Sequence, residues 1–193
     1  MRMDIVFAGV GGQGVLSAAG IIAEAARREE LTIKQAEVHG MAQRGGSVLA
    51  TLRIAPGAIA SELVPRGGAG MIIGMEPVEA LRYLDYLSPH GRLLTAADPV
   101  RNVPDYPPIE AIHEQIRLVG GHLVEAHRIA RQAGSPRSSN IVMVGAASMW
   151  LTLAESTLEA CIRDAFARRG DKSVELNLKA FRAGRAAIAP APA

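Results

Sequence analysis

The sequence predicts an α/β fold, a three-layer α/β/α Rossmann-like domain built around a mostly parallel, mixed sheet. Short apolar runs typical of buried strands alternate with helical patterns along the 193 residues, as in parallel sheets covered by helices. Polarity alternates around a turn in residues 47–64, which predicts an antiparallel element. The sequence contains no repeat and no interdomain linker, so one domain should span residues 1–187, followed by a flexible tail at 188–193.

The first half of the chain predicts most of the sheet. The apolar run at the start ends in glycines, and the apolar stripe that follows it favours a helix. The predicted strands lie at 4–10, 31–38, 47–55 and 71–75, with a hairpin partner of the third strand at 59–64. The predicted helices lie at 14–30 and 77–87, and the second begins with Pro77, which suits a first helical turn.

The next stretch alternates strands and helices around a proline-rich segment. A strand is predicted at 91–97 and a loop at 98–108. Residues 108–120 fit either a strand that leads into a helix or one continuous helix. Residues 121–134 predict the start of a strand and then a short helix that Gly134 closes.

The last third predicts three helices. Ser138, Ser139 and Asn140 are candidate N-caps for a helix at 141–155, which should be buried because it is apolar nearly all round. Two amphipathic helices follow at 157–170 and 174–188.

Composition and charge exclude two classes of partner. Hydrophobic residues make up 49% of the chain and charged residues 21%, which is typical of a globular protein. The formal net charge is only +2, the basic residues are not clustered, and aromatic residues make up 4%. Nucleic-acid surfaces combine clustered cations with aromatic side chains, and a membrane span needs roughly 20 apolar residues. We therefore expect neither nucleic acid nor a membrane as a partner.

Cys161 is the only cysteine, and its position on an apolar helical face favours a small core residue. A single thiol forms no internal disulfide and cannot supply the four thiolates of an iron–sulfur cluster. This cysteine usage suits a reducing cytoplasm, and the chain begins with a short apolar strand rather than a signal peptide.

The sequence contains no complete catalytic or metal-binding motif. H-E-x-x-H, paired cysteines, G-x-S-x-G and the phosphate-loop lysine motif are all absent. Four of the five histidines are scattered in a way that favours surface or capping roles: His90, His113, His122 and His127. We expect no metal site on this chain and assign no catalytic residue.

Residues 9–14, GVGGQG, form a G-x-G-x-x-G loop between a predicted strand and a predicted helix. The candidate ligand- or partner-binding residues are Gly9, Gly11, Gly12, Gln13 and Gly14. Glycines allow close backbone approach, and a helix N-terminus attracts an anion, but the same glycines could serve only to pack the helix on the strand. Glu37 lies near the position of a dinucleotide fold's ribose-binding acid, whereas a polar Gln13 suits a nicotinamide dinucleotide less well.

A second candidate loop, EVHGMAQRGGSV at 37–48, follows the second predicted strand. Arg44 is the best anion contact because a guanidinium binds carboxylate or phosphate with two hydrogen bonds, and Gly45 and Gly46 would expose backbone N–H groups to the same anion. His39 and Gln43 could position a carbonyl or a partner side chain. Alternatively, Arg44 pairs with a carboxylate such as Glu37. Both loops should lie near the same strand ends, where ligands gather in open α/β sheets.

The two loops together resemble a known family. GVGGQGVLSAAGIIAEAA followed by AEVHGMAQRGGSVLATLRI is similar to the gamma-type domain of 2-oxoacid:acceptor oxidoreductases, and the HGMAQRGG form resembles the members that act on indolepyruvate. The likeness continues through MIIGMEPVEALRYLDYLSPHGRLL, YPPIEAI and SSNIVMVGA, and ends with NLKAFRAGR. It therefore covers nearly the whole chain.

The resemblance implies a subunit of a larger enzyme. Such complexes oxidatively decarboxylate a 2-oxoacid, form an acyl-CoA from coenzyme A and pass electrons to ferredoxin. It also implies that thiamine diphosphate and the iron–sulfur clusters belong to a large partner subunit, that this chain alone carries no cofactor, and that the isolated chain is inactive. The alternative is a stand-alone Rossmann-like protein that binds NAD or FAD, which the glycine loop and Glu37 would support.

Overall fold

A six-stranded mixed sheet forms the centre of the fold in the computed structural model, which describes residues 2–39 and 45–188. The strands are β1 (Met3–Val10), β2 (Thr32–His39), β3 (Ser47–Ala55), β4 (Ala69–Gly74), β5 (Leu87–Ala96) and β6 (His122–Val124). The helices are α1 (Val15–Arg28), α2 (Pro77–Arg82), α3 (Ile109–Leu118), α4 (Ala126–Gln132), α5 (Ser139–Ala147), α6 (Glu155–Ala167) and α7 (Asp171–Ile188). Short 3₁₀ turns lie at Leu84–Tyr86 and Pro136–Ser138.

The strand order is β2-β3-β1-β4-β5-β6. Strands β1, β4, β5 and β6 run parallel, whereas β3 lies antiparallel between β1 and β2. Phe7 of β1 pairs with Ala50 of β3, which pairs in turn with Glu37 of β2. The prediction of a mostly parallel, mixed sheet with an antiparallel element is therefore confirmed for β3.

Two apolar cores cover the two faces of the sheet. The larger core contains Ile5 and Phe7 of β1 and packs against α1, α4, α5, α6 and α7. The smaller core contains Val6 of β1 and packs against α2 and α3 through residues such as Ala80 and Ile116. Alternate residues of β1 thus enter opposite cores, as the two-residue period of a strand requires. This arrangement confirms the predicted three layers.

The hairpin partner predicted at 59–64 is wrong, because these residues form no strand. Side chains of β3 hold the segment instead. The Arg53 guanidinium donates from Nη1 to the carbonyl oxygens of Ser61 and Leu63, at 2.9 and 2.7 Å. The Thr51 hydroxyl donates to the carbonyl of Glu62 at 3.2 Å. Side-chain donors thus satisfy carbonyls that a strand ladder would otherwise pair.

The single helix predicted at 141–155 is divided in the structure. Helix α5 ends at Ala147, and α6 begins at Glu155. The Ser148 hydroxyl donates to the Gly145 carbonyl at 2.6 Å, a local bond that competes with continuation of the helix. Leu151 and Leu153 between the two helices remain buried. The apolar run therefore predicted burial correctly, but it did not predict the break between α5 and α6.

Other predicted boundaries shift by less. Helix α2 is shorter than the predicted 77–87, and β5 begins before the predicted residue 91, because the Leu84–Tyr86 turn leads directly into the strand. Of the two alternatives for residues 108–120, the structure has one helix, α3 (Ile109–Leu118), without a preceding strand. Ser138 occupies the N-cap of α5, but its hydroxyl bonds to Asn177 Oδ1 at 2.8 Å rather than capping the helix. The predicted tail lies outside the described residues apart from Ile188.

In the described ranges, no helix combines the length and apolarity needed to cross a bilayer.

A buried ion pair links β3 to β1 on the face of the sheet that carries the smaller core. The Arg53 guanidinium binds Asp4 through two hydrogen bonds, Nε to Oδ1 at 2.9 Å and Nη2 to Oδ2 at 3.0 Å. The two residues are only 5% and 8% exposed. Arg53 therefore both neutralises a buried carboxylate and fixes the irregular segment at 59–64.

We predict that Arg53→Met destabilises the protein by about 3–5 kcal/mol, because it leaves Asp4 as a buried charge without its main partner. Urea denaturation followed by circular dichroism measures the free energy of unfolding. The double variant Asp4→Leu/Arg53→Met should be more stable than Arg53→Met alone, and Arg2→Ala, at the exposed partner of Asp4, should cost less than about 1 kcal/mol. A double variant no more stable than the single one would contradict the ion-pair explanation.

Candidate functional site

The candidate site lies at the carboxyl ends of the parallel strands, which we call the carboxyl edge. It comprises residues 11–14 after β1, residues 75–76 after β4, residues 97–108 after β5 and Glu125 after β6. Because β3 is antiparallel, its first residues meet the same edge. Helix α1 leaves β1 on one face of the sheet and α2 leaves β4 on the other, so a crevice opens between these strand ends.

Backbone hydrogen bonds join the two glycine-rich loops that the sequence singled out. The Gly11 N–H donates to the Gly46 carbonyl at 2.8 Å, and the Gly45 N–H donates to the Gly11 carbonyl at 3.3 Å. These bonds continue the β1–β3 ladder, in which Val10 pairs with Ser47. The structure thus brings the described ends of the two loops into direct contact.

Gln13 acts as a bridge between two strand ends. Its Oε1 accepts a hydrogen bond from the Val10 N–H at 2.7 Å, and its Nε2 donates to the Met75 carbonyl at 2.8 Å. Both functional groups of the amide are therefore used within the protein. This role explains a polar side chain inside the glycine loop, which the sequence motif alone did not explain.

The glycines of the first loop serve different purposes. Gly14 is the N-cap of α1 with φ +78°, and a Cβ there would lie 2.6 Å from Asn140 Nδ2. Asn140 also donates from Nδ2 to the Gly14 carbonyl at 3.3 Å, so this glycine allows α5 to approach closely. A Cβ at Gly12, where φ is +101°, would meet no atom of the described residues within 4 Å. Close packing accounts for Gly14, whereas Gly12 leaves backbone accessible beside the crevice.

Two neighbouring cavities border this loop. One, of about 460 Å³, lies between the carboxyl edge and helices α4 and α5, and the other, of about 580 Å³, runs along α1 towards α6. Both volumes are in the range of small-molecule sites. Gly12, Gln13, Arg137 and Asn140 line both cavities. The loop and the start of α5 therefore form a ridge shared by the two cavities.

The smaller cavity has an apolar floor and a polar rim. Met75, Ala96 and Met143 form part of the floor, and His127 and Arg137 lie at the rim. Such a cavity fits a ligand with an apolar stem and an anionic group. His127 is exposed, which agrees with the surface or capping role that the sequence predicts, but its place beside a cavity was not predicted.

The second cavity is cationic at its mouth. Arg137 and Arg169 are exposed there, and Arg28 is held by Glu24 at 2.9 Å and by Asp164 at 2.6 Å. Hydrogen bonds from Arg27 and Arg28 lower the pKa of Glu24 to about 2, so the carboxylate stays ionised at neutral pH. Cys161 lines the inner wall, where burial raises the pKa of its thiol.

Two buried carboxylates lie beside the ends of β3 and β4. Glu76 is 1% exposed and accepts hydrogen bonds from the Glu79 N–H at 2.8 Å, the Val100 N–H at 3.3 Å and the Tyr106 hydroxyl. Burial and the neighbouring Glu76 raise the pKa of Tyr106, which therefore remains a donor. Glu79 accepts from the Ser47 hydroxyl at 2.6 Å. Sequence reasoning missed this network.

The remaining candidates of the second loop fall in or beside the undescribed part of the chain. Gln43 and Arg44 lie outside the described residues, and His39 is described only as the last residue of β2. Glu37 lies in β2, and β3 separates it from the glycine loop of β1. Strands β2 and β1 are therefore two strand spacings apart, about 9–10 Å. In a dinucleotide fold, by contrast, the first two strands are neighbours.

Comparison with known proteins gives a match to a family model described as pyruvate ferredoxin/flavodoxin oxidoreductase, over residues 4–187. The chain is 39% identical over 194 residues to indolepyruvate oxidoreductase subunit IorB of Archaeoglobus fulgidus, covering 95% of this chain and 94% of that protein. It is 35% identical over 199 residues to the subunit of the same name from Methanothermobacter thermautotrophicus, covering 98% and 99%.

Solved structures share the fold. A 2-oxoglutarate:ferredoxin oxidoreductase from Magnetococcus marinus, with 2-oxoglutarate, coenzyme A and succinyl-CoA bound, matches with a TM-score of 0.76 and 23% identity over 97% of this chain. This chain spans 31% of that longer chain. The gamma subunit of a keto/oxoacid ferredoxin oxidoreductase from Geobacter sulfurreducens matches with a TM-score of 0.70 and 24% identity, covering 96% of this chain and 98% of that chain.

We predict that Gln13→Ala destabilises the protein by about 1–3 kcal/mol, because the Val10 N–H and the Met75 carbonyl lose their partner. Urea denaturation measures the loss. At pH 7 the stability of Gln13→Glu should fall between those of the wild type and Gln13→Ala, because an ionised carboxylate accepts from the Val10 N–H but cannot donate to the Met75 carbonyl. Ser17→Ala, at the exposed third residue of α1, is the matched control and should change stability by less than about 0.5 kcal/mol. Equal stability of Gln13→Ala and wild type would refute the bridging role.

Proposed function

Because the family model matches residues 4–187, the chain belongs to the pyruvate ferredoxin/flavodoxin oxidoreductase family, and we propose that it is the small subunit of a 2-oxoacid:ferredoxin oxidoreductase. The observation that carries this proposal is the nearly full-length similarity, at 39% identity, to a named subunit of an indolepyruvate oxidoreductase. The complex oxidatively decarboxylates a 2-oxoacid, forms an acyl-CoA and passes electrons to ferredoxin. Its substrate is indolepyruvate or a related aryl pyruvate.

The proposal assigns the redox chemistry to a large partner subunit in a cytoplasmic complex. Cys161 is the only thiol of the chain, is 3% exposed and lines the wall between α1 and α6. One buried thiol does not fit an iron–sulfur cluster, which usually takes four thiolates. Thiamine diphosphate and the clusters are therefore assigned to the partner, and this chain supplies binding surface.

We assign the carboxyl edge to the path of coenzyme A. The exposed guanidiniums of Arg137 and Arg169 suit the phosphates of that co-substrate, and the floor that includes Met75 and Met143 suits its less polar arm. A solved relative of the same fold has coenzyme A bound, which is a further reason to choose this co-substrate. The chain's own residues bind and orient, and none is assigned a proton-transfer step.

Anaerobic reconstitution with the neighbouring large subunit tests the proposal. Ferredoxin reduction should require both subunits, a 2-oxoacid and coenzyme A, and aryl pyruvates should exceed pyruvate and 2-oxoglutarate in kcat/KM. Calorimetric titration of the isolated chain with NADH, NADPH and FAD is the companion measurement. Tight binding of any of these, together with no turnover in the reconstituted mixture, would favour the stand-alone nucleotide-binding alternative.

The prediction for Arg44 rests on the sequence motif. Arg44→Ala should lower turnover or subunit association by about tenfold or more, because a charged hydrogen-bonding group at an anion or interface contact contributes about 1.5–3 kcal/mol. The unfolding transition of the isolated chain should not change. Arg44→Lys keeps the charge but loses the forked geometry, so it should recover only part of the activity. Unchanged turnover and association would remove Arg44 from the site.

A further inference from the structure

Residues 98–108 cross the carboxyl edge between β5 and α3 without regular secondary structure, and we call this segment the strap. Asp98, Pro99 and Val100 at its start line a cavity together with Gln13 and Met75. The strap is thus one wall of the crevice at the strand ends. Its position determines how wide that crevice is.

One buried carboxylate holds the strap at two points. Glu76 Oε1 accepts from the Val100 N–H at 3.3 Å and from the Tyr106 hydroxyl, and Glu76 Oε2 accepts from the Glu79 N–H at 2.8 Å. The three donors come from the start of the strap, from its end and from α2. A carboxylate that is 1% exposed needs such donors, because an unsolvated charge is costly to bury.

A second contact ties the strap to the glycine loops. Asn102 Nδ2 donates to the Gly45 carbonyl at 3.0 Å. The N–H of the same Gly45 donates to the Gly11 carbonyl, which belongs to the first glycine loop. The strap, the loop before β3 and the loop after β1 are therefore joined in one continuous chain of hydrogen bonds.

Apolar packing alone leaves most of the strap unsupported. Tyr106 packs against the smaller core, but Arg101, Pro104 and Asp105 are exposed and Val103 is 36% exposed. Segments with few buried apolar contacts open at low free energy. The position of Val100 at the crevice therefore depends on hydrogen bonds. These are the bonds of Glu76 and Asn102 and a third bond, in which Asp98 Oδ2 accepts from the His127 N–H at 3.0 Å.

We propose that Glu76 is a positioning residue that sets the width of the crevice by holding the strap through Val100 and Tyr106. That coenzyme A is the ligand in this crevice rests on the proposed function. That Glu76 holds the strap does not rest on it. No local sequence motif marks this role, because Glu76 and Tyr106 are far apart in sequence.

Hydrogen exchange of the full isolated chain tests the holding of the strap. Tyr106→Phe removes one donor to Glu76, so exchange of the Val100 amide should become about tenfold faster or more. Asn102→Ala should also speed exchange of the Gly45 amide, but by a smaller factor than Tyr106→Phe speeds exchange at Val100. Tyr86→Phe is the matched control, because the Tyr86 hydroxyl has no hydrogen bond to a residue in the described ranges. Unchanged exchange at Val100 in Tyr106→Phe would overturn the proposal.

Steady-state kinetics of the reconstituted complex test the consequence. For Tyr106→Phe, KM for coenzyme A should rise about tenfold while kcat and KM for the 2-oxoacid stay within about twofold. If Tyr106 were only structural, the variant would contain less active complex, so kcat would fall and KM for coenzyme A would not rise. That result would overturn the proposal. An inactive wild-type complex would instead defeat the proposed function, and the exchange measurement would still decide whether Glu76 holds the strap.

Discussion

The antiparallel pairing of β3 with β1 is the constraint on which the carboxyl edge depends. A strand that runs opposite to β1 must begin where β1 ends, so Ser47 pairs with Val10 and the pairing extends to Gly46 and Gly11. Two loops that are far apart in sequence thereby meet through backbone hydrogen bonds, which do not depend on side-chain identity. The same pairing displaces β2 to the sheet margin and carries Glu37 away from the glycine loop. The antiparallel placement of β3 between β1 and β2 thus brings the two loops to one edge. It also makes the strand order differ from that of a dinucleotide-binding fold.

Side chains then fix what the backbone brings together. Gln13 joins the ends of β1 and β4, Asn140 joins α5 to the start of α1, and Glu76 joins α2 to the segment after β5. Each of these groups is engaged inside the protein, and none forms a nucleophile–base pair with another. The described edge therefore presents shaped cavities with arginine and histidine side chains at their rims.

Sequence patterns predicted the parts of the fold that depend on local periodicity. The buried strands, the amphipathic helices and the three layers follow from apolar spacing. The two loops were expected near each other because ligand-binding loops gather at strand ends in open α/β sheets, but in the structure it is the antiparallel pairing of β3 with β1 that joins them. The failures occur where a distant or competing polar group decides. Side chains of Arg53 and Thr51 bind carbonyls of residues 61–63 where a strand ladder was predicted. The run predicted as one helix is divided after Ala147, where the Ser148 hydroxyl binds the Gly145 carbonyl. Glu76 and Tyr106 could not be paired from sequence, because neither residue lies in a local motif with the other.

The apolar core and the polar edge therefore place different demands on the sequence. Solved relatives at 23–24% identity retain the fold with TM-scores of 0.70–0.76, because a core needs residues of suitable size and period rather than particular identities. A buried carboxylate such as Glu76 is less tolerant, since each donor that it loses leaves a desolvated charge partly unsatisfied. Its three donors belong to α2 and to the two ends of the strap, so the loss of one donor weakens the restraint on the whole strap. Differences in ligand preference among proteins of this fold should therefore arise from such edge contacts, while the sheet and its two cores remain the same.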